Sequence, residues 1–472
     1  MLETVGRFAC GGGCDAGTVW FVCLPSPNAR AAAAAIHSEL TAAAIARRRP
    51  RPGALVPGRI ANRWRRELGE WRKLQPLVNA AEMIDVPVRR TWPGTVATLS
   101  LGDGARRRRI YGTVHDSDSA AALVVGLDKE LSRAVLDQLG VAQPHGTVVW
   151  SYDDAADAAN ALGYPVVLKQ PRSADSYGVV ARVADSDHLR RSWDHLALPR
   201  ERLLVEERLD GATYRVLLVD GEVLRVAEGR SATIRGDGTS TIRTLIRLDP
   251  RRAWWLDEPA LAHRLDAILL SQELMVADVP AQGAVVAVSP PVDEWRHLSR
   301  SSLHRENRRM VERLGRYLAP AIVGIDVVCT RLDRPWGGAN GGVVDVNPAA
   351  GTWFHDDQAA LAARFLERLG LIDEPARIPI TCFVGEDADA AARAAAGREE
   401  GVDPETSDAF LLLDDPHTTS AFVAVTPQDF AARGLAFDRC DALNVLPGAS
   451  QALLAILSTT ATATLHPSPI GA

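Results

Sequence analysis

The sequence predicts a mixed α/β fold, because hydrophobic periods of two kinds take turns along the chain. Gly163-Tyr164-Pro165-Val166-Val167-Leu168-Lys169 is an apolar run with turn residues in front of it. It reads as a buried strand that delivers Lys169 to an edge. Val344-Asp345-Val346-Asn347 alternates with a period of two, which sets Asp345 and Asn347 on one face of a strand. Leu131, Val135, Leu136 and Leu139 follow Asp128 at helical spacing, with Asp128 placed to cap the helix.

At 472 residues the chain is expected to divide into about three domains, drawn here as 1–125, 126–375 and 376–472. In the first, residues 18–24 read as a short strand and the alanine-rich 31–46 as a helix ending in arginines and prolines. From about 80 to 122, apolar strands are broken by Pro93-Gly94 and Gly102-Asp103-Gly104. The second domain is expected in two parts, 140–227 and 228–370. No GxGxxG follows a strand, so a Rossmann fold is not expected.

Two lysines on separate elements, Lys129 and Lys169, can neutralise phosphate oxygens as compact charges in a chain otherwise dominated by arginine. Carboxylates and an amide oxygen suit Mg²⁺. Asp326 lies in Val323-Gly324-Ile325-Asp326-Val327-Val328, a strand-like run of its own, and joins Asp345 and Asn347 as a candidate metal set. The polar loop 170–178 follows Lys169 and is rich in small residues able to lie over phosphates.

At these residues the chain resembles the ATP-grasp ligases and, within them, the cyanophycin synthetases. The resemblance rests on Ala80 to Arg90, Leu99 to Val141, Gly211 to Val226, Arg235 to Ile246, and the GIDVV and VDVNPAAG strings, in that order. It implies an ATP-dependent carboxylate–amine ligase working through an acyl phosphate on amino-acid or peptide substrates. ATP and Mg²⁺ are the implied cofactors. By this likeness Lys129, Lys169 and Arg215 hold phosphates, and Ser173, Ser176 and Gly178 belong to the loop over them. Glu206 lies beside the adenine, and Asp326, Asp345 and Asn347 hold Mg²⁺. Arg215 also contacts the acyl phosphate, while Arg296 and the loop 298–302 hold the substrate carboxylate. Alternatives are a single-site ligase that polymerises dipeptides and a non-catalytic ATP-binding scaffold.

The departures are specific. Thr213 stands where the family carries an acidic residue toward the ribose, and Asp345 replaces a glutamate one methylene longer. Serines replace glycines in both 172–178 and 298–302, and serine does not accept positive φ as freely. A substrate different from the family's usual one is therefore expected. Ile378 to Gly385 and Gly434 to Asp441 resemble strands of the second, Mur-ligase-like half of cyanophycin synthetases. The expected phosphate loop is here Gly385-Glu386-Asp387-Ala388-Asp389-Ala390, whose carboxylates repel a triphosphate. Residues 376–472 are thus expected to be a remnant kept for structure or association, with Phe410 to Leu413 and Phe422 to Val425 needing cover from elsewhere.

A net charge of −6 and a pI near 6.0 argue against a general nucleic-acid binder, despite local clusters at Arg47 to Arg49 and Arg106 to Arg109. Six dispersed cysteines do not make a disulfide framework, and Cys10 to Cys14 lacks a second pair to complete a metal site. With no signal peptide and no run of about 18 apolar residues, a cytoplasmic protein off the membrane is expected, as a homo-oligomer, dimer or tetramer.

Overall fold

The computed structural model describes Leu74 and residues 77–465, apart from 92–97, 113, 173–177, 200, 250–251, 292–293, 320–321, 349–358, 373–374 and 400–401. Val78–Arg109 and the chain from Leu369 onward form one compact unit, and Ile110–Arg368 lies in the other. The first unit begins with an antiparallel pair, β1 (Val88–Thr91) and β2 (Thr98–Leu101).

The second unit opens with β3 (Arg108–Tyr111), which straddles the boundary, β4 (Val114–His115), and two helices, α1 (Ala120–Leu127) and α2 (Lys129–Gln138). Asp128 begins α2 as expected, its carboxylate accepting from the Glu130 N–H at 3.1 Å. The buried stripe of α2 differs from the one expected. Lys129, Ser132, Val135 and Leu136 are buried, whereas Leu131 faces solvent, because the helix turns its polar N-terminal residues toward the site.

A small lobe follows: β5 (Gly146–Val149), α3 (Tyr152–Leu162), β6 (Val166–Lys169), β7 (Val179–Val183), α4 (Ser186–Leu196) and β8 (Leu203–Glu207). Its antiparallel sheet has the order β5-β8-β6-β7. Val166, Leu168, Val180, Val183 and Val205 pack against Ala155, Ala159, Leu189 and Leu196 of the two helices. Each such fully buried valine or leucine contributes about 1.5–3 kcal/mol.

The next strands, β9 (Ala212–Val219) and β10 (Glu222–Arg230), lead to a two-stranded antiparallel sheet of β11 (Thr233–Arg235) with β12 (Val285–Ala287). α5 (Ile242–Leu248) and α6 (Pro259–Leu270), between the two strands in the chain, cover that sheet through Ile242, Ile246, Leu265 and Leu269. Then come β13 (Glu294–Leu298), α7 (Arg305–Leu318), β14 (Ile322–Cys329), β15 (Gly341–Asn347) and α8 (Ala359–Arg368).

Strands β13-β10-β9-β14-β15 make one antiparallel sheet. Val216, Leu218, Val226, Ile325 and Val327 point to one face, where Val311, Leu314 and Leu318 of α7 and Val135 and Leu136 of α2 close the core. Strand alternation sends Arg215 and Asp326 to the opposite face.

The first unit resumes with β16 (Ile380–Val384), α9 (Ala388–Ala396), α10 (Ala409–Asp414), β17 (Ala421–Ala424), α11 (Pro427–Arg433), β18 (Cys440–Val445), α12 (Gln451–Thr460) and β19 (Ala461–Leu465). The sheet is wholly parallel, in the order β17-β16-β18-β19. Both of its faces are covered, one by Leu412, Leu413, Leu453 and Leu457, the other by Ala388 and Ala392. Leu412, Leu413, Val423 and Val425 are buried in this unit's own core, so the expected need for cover from elsewhere is not met there. Arg89 adds a tie from β1, bonding Asp103, the Leu413 carbonyl and Asp414.

Cys329, Cys382 and Cys440 are buried free thiols; burial pushes the Cys329 thiol up to about 11. Cys10, Cys14 and Cys23 lie outside the described residues. No described helix is long and apolar enough to cross a membrane.

Candidate active site

Asp128 does more than begin α2. Its second carboxylate oxygen accepts from Arg202 at 2.6 Å and Arg172 at 3.1 Å. Burial works to raise this carboxyl, but the two arginines and the Glu130 N–H hold it below the usual range. The next residue, Lys129, is therefore anchored at its base, with its N–H on the Pro171 carbonyl at 3.0 Å. Its side chain is buried and the ammonium lies 3.6 Å from Asp345.

Lys169 ends β6, pairing with Leu204 of β8, and Glu206 lies two residues farther along β8 on the same face. The Lys169 ammonium and the Glu206 carboxylate meet at 2.5 Å with both side chains almost wholly buried. Arg133, one turn along α2 from Lys129, donates to the other Glu206 oxygen at 2.6 Å. A buried carboxylate is tolerated only with such partners. Lys169 also donates to the Val344 carbonyl at 3.2 Å. That carbonyl is available because β15 carries an extra residue here: Asp345 pairs with Asp326 but Val343 with Val327, leaving Val344 bulged.

On β9, Arg215 lays its fork along Asp326, both bonds 2.7 Å. The guanidinium also lies 5.0 Å from the ring centroid of Trp295 on β13, a cation–π contact. Asn347 donates its amide to Asp326 at 3.3 Å. Seclusion from water pushes the Asp345 carboxyl above its ordinary value; Lys129 pulls it down and Asp326 adds to the rise.

The structure thus brings together Lys129, Lys169, Glu206, Arg215, Asp326, Asp345 and Asn347. A narrow pocket is lined by Lys129, Arg133, Lys169, Glu206 and Asp345. Gly178 closes its loop in a left-handed conformation, φ 71°, its carbonyl accepting from the Gln170 N–H at 2.8 Å. A Cβ at Gly178 meets the Gln170 side chain at 2.3 Å, which explains the glycine. Ser173 and Ser176 lie outside the described residues.

Arg296 stands apart from the group. It is opposite Glu228 on β10, and Glu228 is opposite Tyr214, which packs on the core side of the sheet. Directly opposed residues share a face, so Arg296 lies on the face away from Arg215 and Asp326. It is bound there to Glu228 at 2.5 Å. Sequence reasoning missed Arg133 and Trp295. The helical spacing from Lys129 was a usable signal for Arg133; Trp295 had none, because its place depends on strand register.

The residues fit a hard divalent cation. Asp326 and Asp345 are directly opposed across two strands, which sets their Cβ atoms about 4.5–5.5 Å apart. Rotation of the Asn347 amide presents a third oxygen, the donor type that Mg²⁺ prefers. No cluster of three His, Cys, Asp or Glu occurs among the described residues, so an amide has to complete the set.

Fold and site together define a mixed α/β protein whose five-stranded antiparallel sheet carries paired cations and carboxylates. The chain is cyanophycin synthetase-like: the enzyme of Synechocystis sp. is 26% identical over 395 residues, covering 73% of this chain and 44% of that protein. The cyanophycin synthetase of Crocosphaera subtropica is 25% identical over 413 residues, 78% of this chain and 47% of that one. The match therefore spans less than half the length of these relatives. Among solved structures, a D-alanine–D-alanine ligase from Bacillus anthracis aligns over 53% of this chain and 68% of its own at 15% identity, with a TM-score of 0.36. No family model matches the chain.

Proposed function

We propose that this protein is an ATP-dependent carboxylate–amine ligase that phosphorylates a substrate carboxylate and lets an amine displace the phosphate, releasing ADP and phosphate. One observation carries the reading: three cations converge on one site, each resting on a carboxylate, Lys129 on Asp345, Lys169 on Glu206 and Arg215 on Asp326. A triphosphate offers the same anionic oxygens and can replace these internal partners without leaving a buried charge alone. Asp326, Asp345 and Asn347 would hold Mg²⁺, which supplies charge neutralisation between phosphates. The protein's own part is positioning and electrostatic stabilisation.

The substrates are amino acids or peptides, in line with what the relatives' names imply. Residues 376–472 are read as a Mur-ligase-like segment without a nucleotide site, because Glu386 and Asp387 follow β16 where such a site needs cations. The test is ADP release against pools of amino acids and dipeptides, alongside titration with a non-hydrolysable ATP analogue. Saturation at one nucleotide per chain, lost in Lys169→Ala, is expected. No pool-dependent ADP release, or a second nucleotide lost on changing residues 385–390, defeats the reading.

A further inference from the structure

The strand registers align one row of directly opposed residues across all five strands of the large sheet: Asp345 on β15, Asp326 on β14, Arg215 on β9, Ala227 on β10 and His297 on β13. Such residues point to the same face. The row therefore runs from the carboxylates, across Arg215, to an exposed histidine on the edge strand. Strands lie about 4.7–4.9 Å apart, so the backbone at His297 is about 10 Å from that at Arg215, two strands away. The Ala227 side chain between them is small and buried.

Trp295 shows that β13 reaches across this distance. It lies two residues before His297, on the same face, and its ring meets the Arg215 guanidinium. We propose that His297 takes the proton from the attacking amine, which makes β13 the acceptor side of the site; this rests on the ligase reading above. The amine nitrogen bonds to the acyl carbon, the carbon–oxygen bond to phosphate breaks, phosphate leaves with the electron pair, and the nitrogen's proton passes to the imidazole.

The other members of the row are unsuited to that task. Arg215 keeps its proton, Asp326 is held by the Arg215 fork, and Asp345 faces Lys129. Histidine is the side chain of this row whose ordinary titration lies near neutrality. In the strand registers, the charged residues beside it on its face are Arg215 and Arg225, while Glu228 and Arg296 lie on the other face.

The experiment uses the full chain with ATP, Mg²⁺ and a pool of amino acids, and follows two products. Hydroxylamine, largely unprotonated at neutral pH, traps the acyl phosphate as a hydroxamate without needing a base; coupling to the pool's own amino groups gives a peptide. In His297→Gln the ratio of peptide to hydroxamate is expected to fall about 100-fold, the usual scale for a lost general base. Any dependence of coupling on pH between about 5 and 8 that the wild-type chain shows is expected to disappear with it. If His297→Gln does not fold, as judged by thermal unfolding, His297→Asn is read in the same way. An unchanged ratio overturns the proposal, and so does an equal loss of both products. A wild-type chain that forms no hydroxamate at all sinks the ligase reading instead, and the role of His297 falls with it.

Discussion

The five-stranded antiparallel sheet and the four-stranded parallel sheet are built from similar aliphatic strands yet differ in where charge can reside. In the antiparallel sheet, one face is closed by α2 and α7 while the other carries Asp345, Asp326 and Arg215 in the middle of their strands. In the parallel sheet both faces are buried, and charge is pushed to the strand ends, at Glu386 and Asp387 after β16. A sheet open on one side lets register gather residues more than a hundred positions apart. A sheet covered on both sides offers chemistry only at its carboxyl ends, and here those ends carry the wrong charge for phosphate.

The largest expected effects test the open face. Lys169→Ala should cut ATP turnover at least about 100-fold by removing a positioned phosphate contact. Glu206 keeps Arg133, so unfolding should move little. Asp326→Ala should lose turnover and also destabilise by about 3–5 kcal/mol, because Arg215 is left buried without its fork partner. ADP assays and urea unfolding on the same samples check both. Retained turnover in either variant removes the distinction between the two sheets.

In the parallel sheet, Leu443→Ala on β18 should cost about 2–5 kcal/mol, since its side chain is fully buried in a core of its own. A cost below 1 kcal/mol in denaturant unfolding contradicts a core packed on both faces. Asp345→Glu is smaller still. The longer acid should keep turnover within about tenfold, a fraction of the loss that a displaced group causes; complete loss in a folded protein shows a site rebuilt around aspartate.

A pH dependence separates the units further. Burial works to raise the Asp438 carboxyl, but Arg377 holds it below the usual range, with a bidentate contact at 2.7 and 2.8 Å. A depressed carboxylate contributes stability above its unfolded value, lost as pH falls from about 4 through the folded value. Arg377→Gln should therefore flatten the acid limb of the stability profile; an identical limb removes this pair from the account. The smallest effect is expected from Arg296→Gln: about 0–1 kcal/mol, as for exposed pairs, and near-normal turnover. A large loss of turnover returns Arg296 to the site.

Much of the site was legible because its signals are local. Lys169 at the end of an apolar run, the Asp128 cap before Lys129, and the alternation at Asp345 each depend on a few neighbouring residues. The metal set read as two strands, Asp326 on one and Asp345 with Asn347 on the other; that these strands lie side by side with Asp326 opposite Asp345 is decided by pairing. Arg296, with the loop 298–302, rested on the resemblance alone. Yet one residue of strand register decides the face, and the neighbour His297 received the active side.

By itself the sequence determined the residue types, their periods and the helix start, since capping and alternation act over a few residues. Only the tertiary structure decided the row from Asp345 to His297, the bulge that turns the Val344 carbonyl toward Lys169, and the arrival of Arg133 at Glu206. These depend on pairing between strands and helices far apart in the chain, and packing of the shared core selects that pairing.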